Sequence, residues 1–308
     1  MPETDEFWEF YWDTRLSTIE TLGKRAAILA ASRTIRRLAG QTERPVRLLE
    51  LGCGEGQIIG TLLDAHASSC DIKASTGVDY NPRSLAFCRQ VLPRARWVEG
   101  DFTDPELLAG LGQFDLVLLV NALHEVFSAA FSPELGKVDV ATGKRQVERV
   151  LSLVTGCLET GGRMLLFDGL EPPGDPRQPA RIRFLSRDAR NEFERFAREY
   201  HPFRVSYRDL DRTGLVELSQ HDFTRYITKS IFLGKPLWAS ERLESYQYFT
   251  EAEFRRVFDA LGLEITELET LTVNGDKWRS RVVMEPPETG FPVEHILIEA
   301  QRRSVVYC

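Results

Sequence analysis

A glycine-rich turn directly after a short apolar run constrains this chain more than any other feature. Residues 48–56 read LLELGCGEG, with Gly52, Gly54 and Gly56 at alternate positions. The apolar run is typical of a buried strand, and residues 57–63 continue as an apolar helix. Because glycine adopts backbone conformations that other residues avoid, the three glycines predict a sharp turn that lets the backbone approach a ligand closely.

Two acids set this turn apart from other glycine-rich turns. Glu50 precedes the glycines and Glu55 lies among them. A pyrophosphate requires uncompensated backbone N–H groups at a helix start, so the acids favour a ligand with a cationic centre and an amino acid tail. A nicotinamide-dependent dehydrogenase is the main alternative on fold. It fits worse, because it needs the spacing G-x-G-x-x-G and would gain nothing from Glu50.

Four further motifs with the pattern of a strand and its end follow in order along the chain. They are residues 77–80 (GVDY), 99–102 (EGDF), 114–121 (FDLVLLVN) and 161–167 (GGRMLLF). With the glycine turn, this series resembles the class I S-adenosylmethionine-dependent methyltransferases, of the small-molecule type. The resemblance implies an α/β fold with a doubly wound, Rossmann-like sheet of seven strands, the last of them antiparallel. Residues 263–271 and 294–301 would supply the sixth and seventh strands.

Composition divides the chain into four segments. We expect residues 1–44 to form an N-terminal helical cap, 45–169 the cofactor-binding core, 170–249 a lid inserted after the fifth strand, and 250–308 the completion of the core sheet. Four prolines between residues 172 and 179 block regular structure and mark the start of the insertion. Apolar residues at helical spacing from Ile182 to Tyr200 predict that the insertion is mainly helical.

Aromatic residues are concentrated in two places. Five of them fall within residues 7–12, in a stretch that we expect to be helical up to a cap at Gly40. These five either anchor the helix to the domain or contact the ligand. Thirteen of the 80 residues from 170 to 249 are aromatic, which indicates a lid that builds a substrate pocket or a subdomain packed on itself.

The resemblance also implies roles for residues at the ends of strands, where ligands bind in open α/β sheets. Glu50 would orient the methionine ammonium group, and Asp79 would accept hydrogen bonds from the ribose hydroxyls. The remaining residues expected at the cofactor are Gly52, Cys53, Gly54 and Gly56 around the methionine and ribose, Tyr80, Asp101 and Phe102 at the adenine, and Asn121 near the methionine end. Cys53 would serve only as a small side chain in a tight turn.

Histidines near the same edge of the sheet are the candidates for catalysis. An oxygen or carbon acceptor usually loses a proton during methyl transfer, and a histidine or carboxylate commonly removes it. His124, with Glu125 beside it, follows the fourth strand and is either a base, an acceptor-positioning residue or a packing residue. His295 begins the seventh strand and His221 lies in the insertion; each is a further candidate or a structural histidine. No pattern predicts a metal site.

The charge of the chain limits its partners. The net charge is −7, and phosphate contacts need clustered basic residues, so tight binding to nucleic acid is disfavoured. Residues 177–208 are the exception, with nine arginines against four acids. Because arginine binds carboxylate and phosphate well, this stretch is either a solvated face with Arg–Glu pairs or a site for an anionic substrate.

The expected acceptor is a small molecule, anionic or aromatic, bound under the lid. The alternatives are a methyltransferase of RNA or protein that uses the arginine-rich stretch, and a relative that binds the cofactor without catalysis. Five scattered cysteines and an acidic N-terminus without a secretory pattern indicate a cytoplasmic protein. No apolar run approaches the roughly 20 residues that span a bilayer, so no membrane partner is expected. The acceptor atom and the oligomeric state stay open.

Overall fold

The computed structural model describes residues 23–212, 214–273, 275–286 and 291–303. The strands in chain order are β1 (Leu48–Leu51), β2 (Thr76–Asp79), β3 (Arg96–Glu99), β4 (Phe114–Val120), β5 (Phe131–Ser132), β6 (Lys137–Val138), β7 (Leu158–Gly169), β8 (Pro179–Phe184), β9 (Tyr207–Asp209), β10 (Leu215–Ser219), β11 (Leu263–Leu271), β12 (Val282–Glu285) and β13 (His295–Arg302). The helices within these ranges are α1 (Arg25–Ala39), α2 (Gln57–Ala65), α3 (Pro82–Val91), α4 (Pro105–Leu111), α5 (Leu123–Ser128), α6 (Val140–Gly156), α7 (Arg187–Glu199), α8 (Gln220–Lys229), α9 (Trp238–Glu241), α10 (Glu251–Ala260) and α11 (Gly275–Arg279).

A seven-stranded sheet forms the centre of the fold, in the order β3-β2-β1-β4-β7-β13-β11. Neighbouring strands from β3 to β7 are parallel, whereas β13 is antiparallel to both β7 and β11. Since β1, β4 and β7 end at one edge of the sheet, the residues that follow them come together, and His295 at the start of β13 joins them. The predicted α/β fold, with seven strands and an antiparallel last strand, is confirmed.

The sheet is buried on both faces, which explains the continuous apolar sequence of its central strands. Every residue of β4 is buried, and alternate residues contribute to two separate hydrophobic clusters. Leu118 packs in a cluster that includes Ile35 of α1, whereas Leu119 packs in one that includes Val147 of α6. Helices on both faces thus hold the sheet, and the core places the residues at the strand ends.

Helix α1 ends where the sequence predicts, with Gly40 at its C-terminal cap. Gly23, two residues before this helix, lies against Phe167 near the end of β7. A Cβ at Gly23 would be 2.4 Å from the Phe167 ring, so this position has no room for a side chain. The aromatic residues that we expect to anchor the helix or contact the ligand, within residues 7–12, lie outside the described residues.

The insertion contains strands as well as the predicted helix. Strands β8, β9 and β10 form a small antiparallel sheet with β12, in the order β12-β8-β10-β9. The helix expected from Ile182 onward begins only at Arg187, where the Ser186 side chain caps it. Ile182 lies instead in β8, whose arginines alternate with buried residues at the period of a strand. Because β12 belongs to this sheet, the sheet is not confined to residues 170–249.

Helix α10 returns the chain to the core after the insertion. Thr250 and Glu253 form the predicted capping box at its start, with each side chain accepting from the other's backbone N–H. None of the helices in the part of the chain that the structure describes is long and apolar enough to cross a membrane.

Candidate active site at the strand ends

The glycine turn after β1 has a backbone conformation that only glycine adopts easily. Gly52, Gly54 and Gly56 have φ angles of +71°, +52° and +68°, in the left-handed region. A Cβ at Gly56 would lie 2.5 Å from the Trp97 ring, and one at Gly52 would lie 3.0 Å from Ala122 Cβ. A Cβ at Gly54 would meet no atom within 4 Å. Packing therefore requires glycine at the first and third positions, whereas Gly54 faces open space that a ligand can occupy.

Two carboxyl groups lie next to this turn. Asp79 accepts hydrogen bonds from Gly54 N at 2.7 Å and from Asn81 N at 2.8 Å, one on each oxygen. Because each carboxylate oxygen has two lone pairs, Asp79 can still accept from ligand hydroxyls. Glu50 is buried, with Oε2 3.0 Å from Ile59 N, and burial raises its pKa to about 8. Such a carboxyl group suits a cationic ligand, since a nearby positive charge favours its ionised form.

The other residues expected at the cofactor occupy the same edge of the sheet. Tyr80 is 68% exposed beyond β2, Asp101 is exposed after β3, and Phe102 is buried beside Gly52. Asn121, after β4, has a φ of +53°, and its buried Oδ1 has no hydrogen-bond partner among the described residues. An unsatisfied buried acceptor is costly, and an N–H or O–H group of a ligand would satisfy it.

A cavity of about 250 Å³ opens on the helical side of the turn, between α2 and α3. Its lining includes Gly56 and Cys88 but not Asp79, so it is distinct from the space in front of Gly54. The Cys53 thiol is buried nearby, and the neighbouring Cys88 thiol, together with burial, raises its pKa. Cys53 is therefore a poor nucleophile, in keeping with a small side chain in a tight turn.

His124 is the centre of a charged cluster at the ends of β4 and β7. Its Nδ1 lies 2.9 Å from Asp168 Oδ1, and Asp168 Oδ2 accepts from the backbone N–H groups of Leu123 and His124. Its Nε2 lies 3.6 Å from Glu244 Oε2. Burial alone would lower the pKa of the imidazole, but the charge of Asp168, its hydrogen bond with the ring and the contact with Glu244 raise it to about 9. These two carboxylates therefore favour the imidazolium form of His124 at neutral pH.

Tyr246 joins the insertion to this cluster. Its ring stacks on the His124 imidazole with 3.8 Å between ring centroids, and Lys229 Nζ lies 4.1 Å from the centroid of the same ring. Lys229 is fully buried and donates to Glu244 Oε2 at 3.2 Å and to Glu241 Oε2 at 2.6 Å. The insertion thus supplies an aromatic ring and three charged groups to the strand ends.

The remaining catalytic candidates have different surroundings. His295 lies edge-on to Tyr246, with 6.0 Å between ring centroids. His221 pairs with another carboxylate, that of Glu171, at 2.8 Å. Glu125 is partly buried in the first turn of α5. Tyr246 therefore contacts both His124, which follows β4, and His295, which begins β13.

The arginine-rich stretch of the insertion is paired with neighbouring acids. The pairs are Arg181–Glu217, Arg208–Glu217, Arg183–Glu285, Arg190–Glu194 and Arg195–Glu199. They lie on the small sheet and along α7, where they form a solvated face of the kind that the sequence allowed. Five of the nine arginines are thus held in ion pairs.

Several members of the charged cluster were not expected from the sequence. Asp168 ends β7 in the same way that a carboxylate ends β2, and this position at a strand end is the signal that could have identified it. Lys229, Glu244 and Tyr246 come from the insertion, and nothing in their local sequence distinguishes them. No group of acidic, histidine and cysteine side chains in the described ranges could hold a metal ion.

Three solved structures similar to this chain are methyltransferases of low sequence identity. A magnesium protoporphyrin IX methyltransferase from Synechocystis PCC 6803 is 11% identical, with a TM-score of 0.48, over 98% of this chain and 96% of that one. A 1,6-didemethyltoxoflavin-N1-methyltransferase from Burkholderia thailandensis is 15% identical, with a TM-score of 0.44, over 97% and 86%. An S-adenosylmethionine dependent methyltransferase from Mesorhizobium loti is 15% identical, with a TM-score of 0.44, over 83% and 91%. Similarity at this level says nothing about the acceptor of this chain.

The part of the chain that contains the glycine turn matches a known family. Residues 48–137 match the family model described as a methyltransferase domain, whereas no curated protein matches the chain. The matched residues run from β1 past α5 and include Asp79 and His124. The open space at Gly54, the backbone-bonded carboxylate of Asp79 and the unsatisfied Oδ1 of Asn121 fit a ligand with ribose hydroxyls and an ammonium group. Residues 48–137 are therefore a methyltransferase domain, and the residues at its strand ends fit S-adenosylmethionine as a cofactor.

Proposed function

We propose that this enzyme methylates a small molecule that is enclosed between the strand ends and the insertion. The observation that carries the proposal is the crossing of Tyr246 over the end of β7, where a Cβ at Gly169 would lie 2.1 Å from the Tyr246 carbonyl oxygen. Tyr246 is buried and contacts His124 in the core. The insertion thus lies directly on the edge that carries the cofactor turn, and an acceptor site covered by it would suit a small molecule.

We propose that the cofactor lies along the ends of β1 to β4. When bound, S-adenosylmethionine supplies an electrophilic methyl group, so the protein contributes binding and alignment rather than a reactive group. The residues in this proposal are Gly52, Cys53, Gly54 and Gly56 around the methionine and ribose, Glu50 and Asn121 at the ammonium end, Asp79 at the ribose hydroxyls, and Tyr80, Asp101 and Phe102 at the adenine. The backbone bonds of Asp79 support the assignment, because they fix the turn and the ribose-binding carboxylate together.

We propose that His124 positions the acceptor and does not deprotonate it. An imidazolium whose ring nitrogens face Asp168 and Glu244 has no lone pair with which to accept a proton. Its fixed charge can orient an electron-rich acceptor, which is a contribution of alignment. An acceptor that must lose a proton would lose it to another group, and His295 and Glu125 are the candidates at this edge.

The charge distribution supports a small acceptor over RNA. The chain carries a net charge of −7, and the arginines of the insertion that pair with acids are not free to bind phosphates. RNA would have to displace ion pairs such as Arg181–Glu217 and Arg190–Glu194 before it could bind.

The cofactor and the acceptor class can be tested separately. Calorimetry with S-adenosylhomocysteine measures cofactor binding, with Asp79→Ala as the control variant. For the acceptor, we would supply methyl-tritiated S-adenosylmethionine and a cell extract, and then separate the products by size. We expect enzyme-dependent label in the low-molecular-mass fraction. Label in the RNA or protein fraction instead would refute the small-molecule proposal.

We propose that the protein works in a reducing compartment, the cytoplasm. The cysteines of the described ranges are free thiols, namely Cys53, Cys70, Cys88 and Cys157, and disulfides are rare in reducing compartments. Burial raises the pKa of Cys70 and of Cys157 to about 11, so both stay protonated and unreactive at neutral pH. Fractionation of cells that express the protein would check the location.

A further inference from the structure

A chain of alternating charges crosses the end of β7 from the core into the insertion. In order it contains Asp168, His124, Glu244, Lys229 and Glu241, joined by contacts of 2.9, 3.6, 3.2 and 2.6 Å. Four of these side chains are at most 2% exposed, whereas that of Glu244 is 24% exposed. Glu244 is therefore the member of the chain that opens toward a ligand or solvent.

We propose that Glu244 positions the methyl acceptor by accepting a hydrogen bond from it. The inference rests on the function proposed above and narrows its substrate class to molecules that carry a hydroxyl or amino group as donor. It also gives the insertion a direct part in acceptor choice, because Glu244 comes from the segment between α9 and α10.

Its neighbours hold Glu244 in the state that this role requires. Oε2 faces both Lys229 Nζ and His124 Nε2, so rotation of the side chain would leave two buried cations without this partner. Burial would raise the pKa of Glu244, but the charge of Lys229 and the contact with His124 lower it below its ordinary value. The carboxylate thus accepts a hydrogen bond without taking the proton, which makes Glu244 a positioning residue and not a base.

The groups around the His124 imidazolium come from three elements. Asp168 lies at the end of β7, Lys229 on α8, and Glu244 and Tyr246 on the segment that crosses β7. Without the charge of Glu244, the His124 imidazole keeps only Asp168 as a carboxylate partner, while the repulsion by Lys229 remains. The midpoint of the His124 titration should therefore fall when Glu244 loses its charge.

Glu244→Gln tests the proposal, with Glu217→Gln as the matched control. Both changes replace a carboxylate of the insertion by an amide of the same shape, but Glu217 pairs with arginines on the small sheet. We expect E244Q to bind S-adenosylhomocysteine as the wild type does and to lower the His124 midpoint measured by NMR. We also expect E244Q to reduce tritium labelling of the low-molecular-mass fraction by about tenfold to hundredfold, because it loses one hydrogen bond to a charged group. Labelling should recover at high extract concentration. E217Q should change none of these.

The outcomes separate this proposal from the one on which it rests. The role of Glu244 is overturned if E244Q labels the extract as the wild type does. It is also overturned if the His124 titration is unchanged and the labelling falls by the same factor at every extract concentration. Failure of the wild type to bind S-adenosylhomocysteine would overturn the proposed function instead, and wild-type cofactor binding with undiminished labelling by E244Q would overturn the role of Glu244 alone. If E244Q does not fold, Glu244→Asp serves, because it keeps the charge but draws the carboxylate back from the acceptor: wild-type labelling refutes the proposal, and a loss of labelling that recovers at high extract concentration supports it.

Discussion

Gly54 and Gly56 can be separated by experiment, because the structure gives each a different reason to be glycine. Both lie in the left-handed region, with φ of +52° and +68°, so alanine at either position costs about 1–2 kcal/mol. Only Gly56 adds a steric cost, since its Cβ would lie 2.5 Å from the Trp97 ring and 3.1 Å from Cys88 Sγ. Forcing a methyl group into a packed core adds about 1–3 kcal/mol. We expect Gly56→Ala to lose about 2–5 kcal/mol in total.

Ligand binding should respond differently from stability. The added methyl group of Gly54→Ala would project into the open space in front of the turn, where we place the cofactor. A steric cost of about 1–3 kcal/mol there corresponds to a loss of affinity of roughly tenfold to hundredfold. Gly54→Ala should therefore bind S-adenosylhomocysteine poorly although it loses only the backbone cost of about 1–2 kcal/mol in stability.

Urea unfolding and calorimetry with S-adenosylhomocysteine measure the two effects. Equal losses of stability in the two variants would show that contact with Trp97 is not what requires glycine at position 56. Wild-type affinity in Gly54→Ala would show that the open space is not the ligand site. A Gly56→Ala/Trp97→Phe double variant checks the contact directly, because it should be less destabilised than the sum of its single changes.

The strand-end contacts make three further outcomes testable. Asp79→Ala should lower the free energy of unfolding by about 1.5–3 kcal/mol, because two backbone N–H groups lose a charged acceptor, and should weaken S-adenosylhomocysteine binding; wild-type affinity would contradict the ribose assignment. The pKa of His124 is raised from 6.5 to about 9, so its contribution to stability, on the order of 3 kcal/mol, should be complete below pH 6.5 and lost as the pH rises through 9. Urea unfolding against pH should show this slope in the wild type and lack it in His124→Asn. Gly169→Ala should displace the insertion, because its Cβ would lie 2.1 Å from the Tyr246 carbonyl oxygen; limited proteolysis should then cut within residues 170–249, and a resistant insertion would argue against the close crossing.

The conformation of the glycine turn could be predicted because it depends on local sequence. A left-handed turn favours glycine wherever it occurs, so Gly52, Gly54 and Gly56 indicate their backbone conformation without knowledge of the fold. The strand at Pro179–Phe184 could not be assigned in this way. Its alternating arginines have the period of a strand, but its apolar residues also fit the helical spacing that continues from Arg187 onward.

The charge of His124 could not be predicted from the sequence. A histidine after a strand has the same local sequence whether it is a base or a cation, since its protonation depends on the groups that pack against it. Asp168 is 44 residues away along the chain, and Glu244 lies in the insertion. Their approach raises the pKa of His124 to about 9, and this supports the positioning role that we propose for it over the role of base that its position suggested.

The sequence by itself determined the class of fold and the turn that can bind a cofactor, because apolar periodicity and glycine conformation act over a few residues. Only the tertiary structure decided which side chains surround His124. Lys229, Glu244 and Tyr246 reach it because the insertion crosses the end of β7, a path that no local pattern encodes. Burial and neighbouring charge follow from that path, and together they set the protonation state of the histidine.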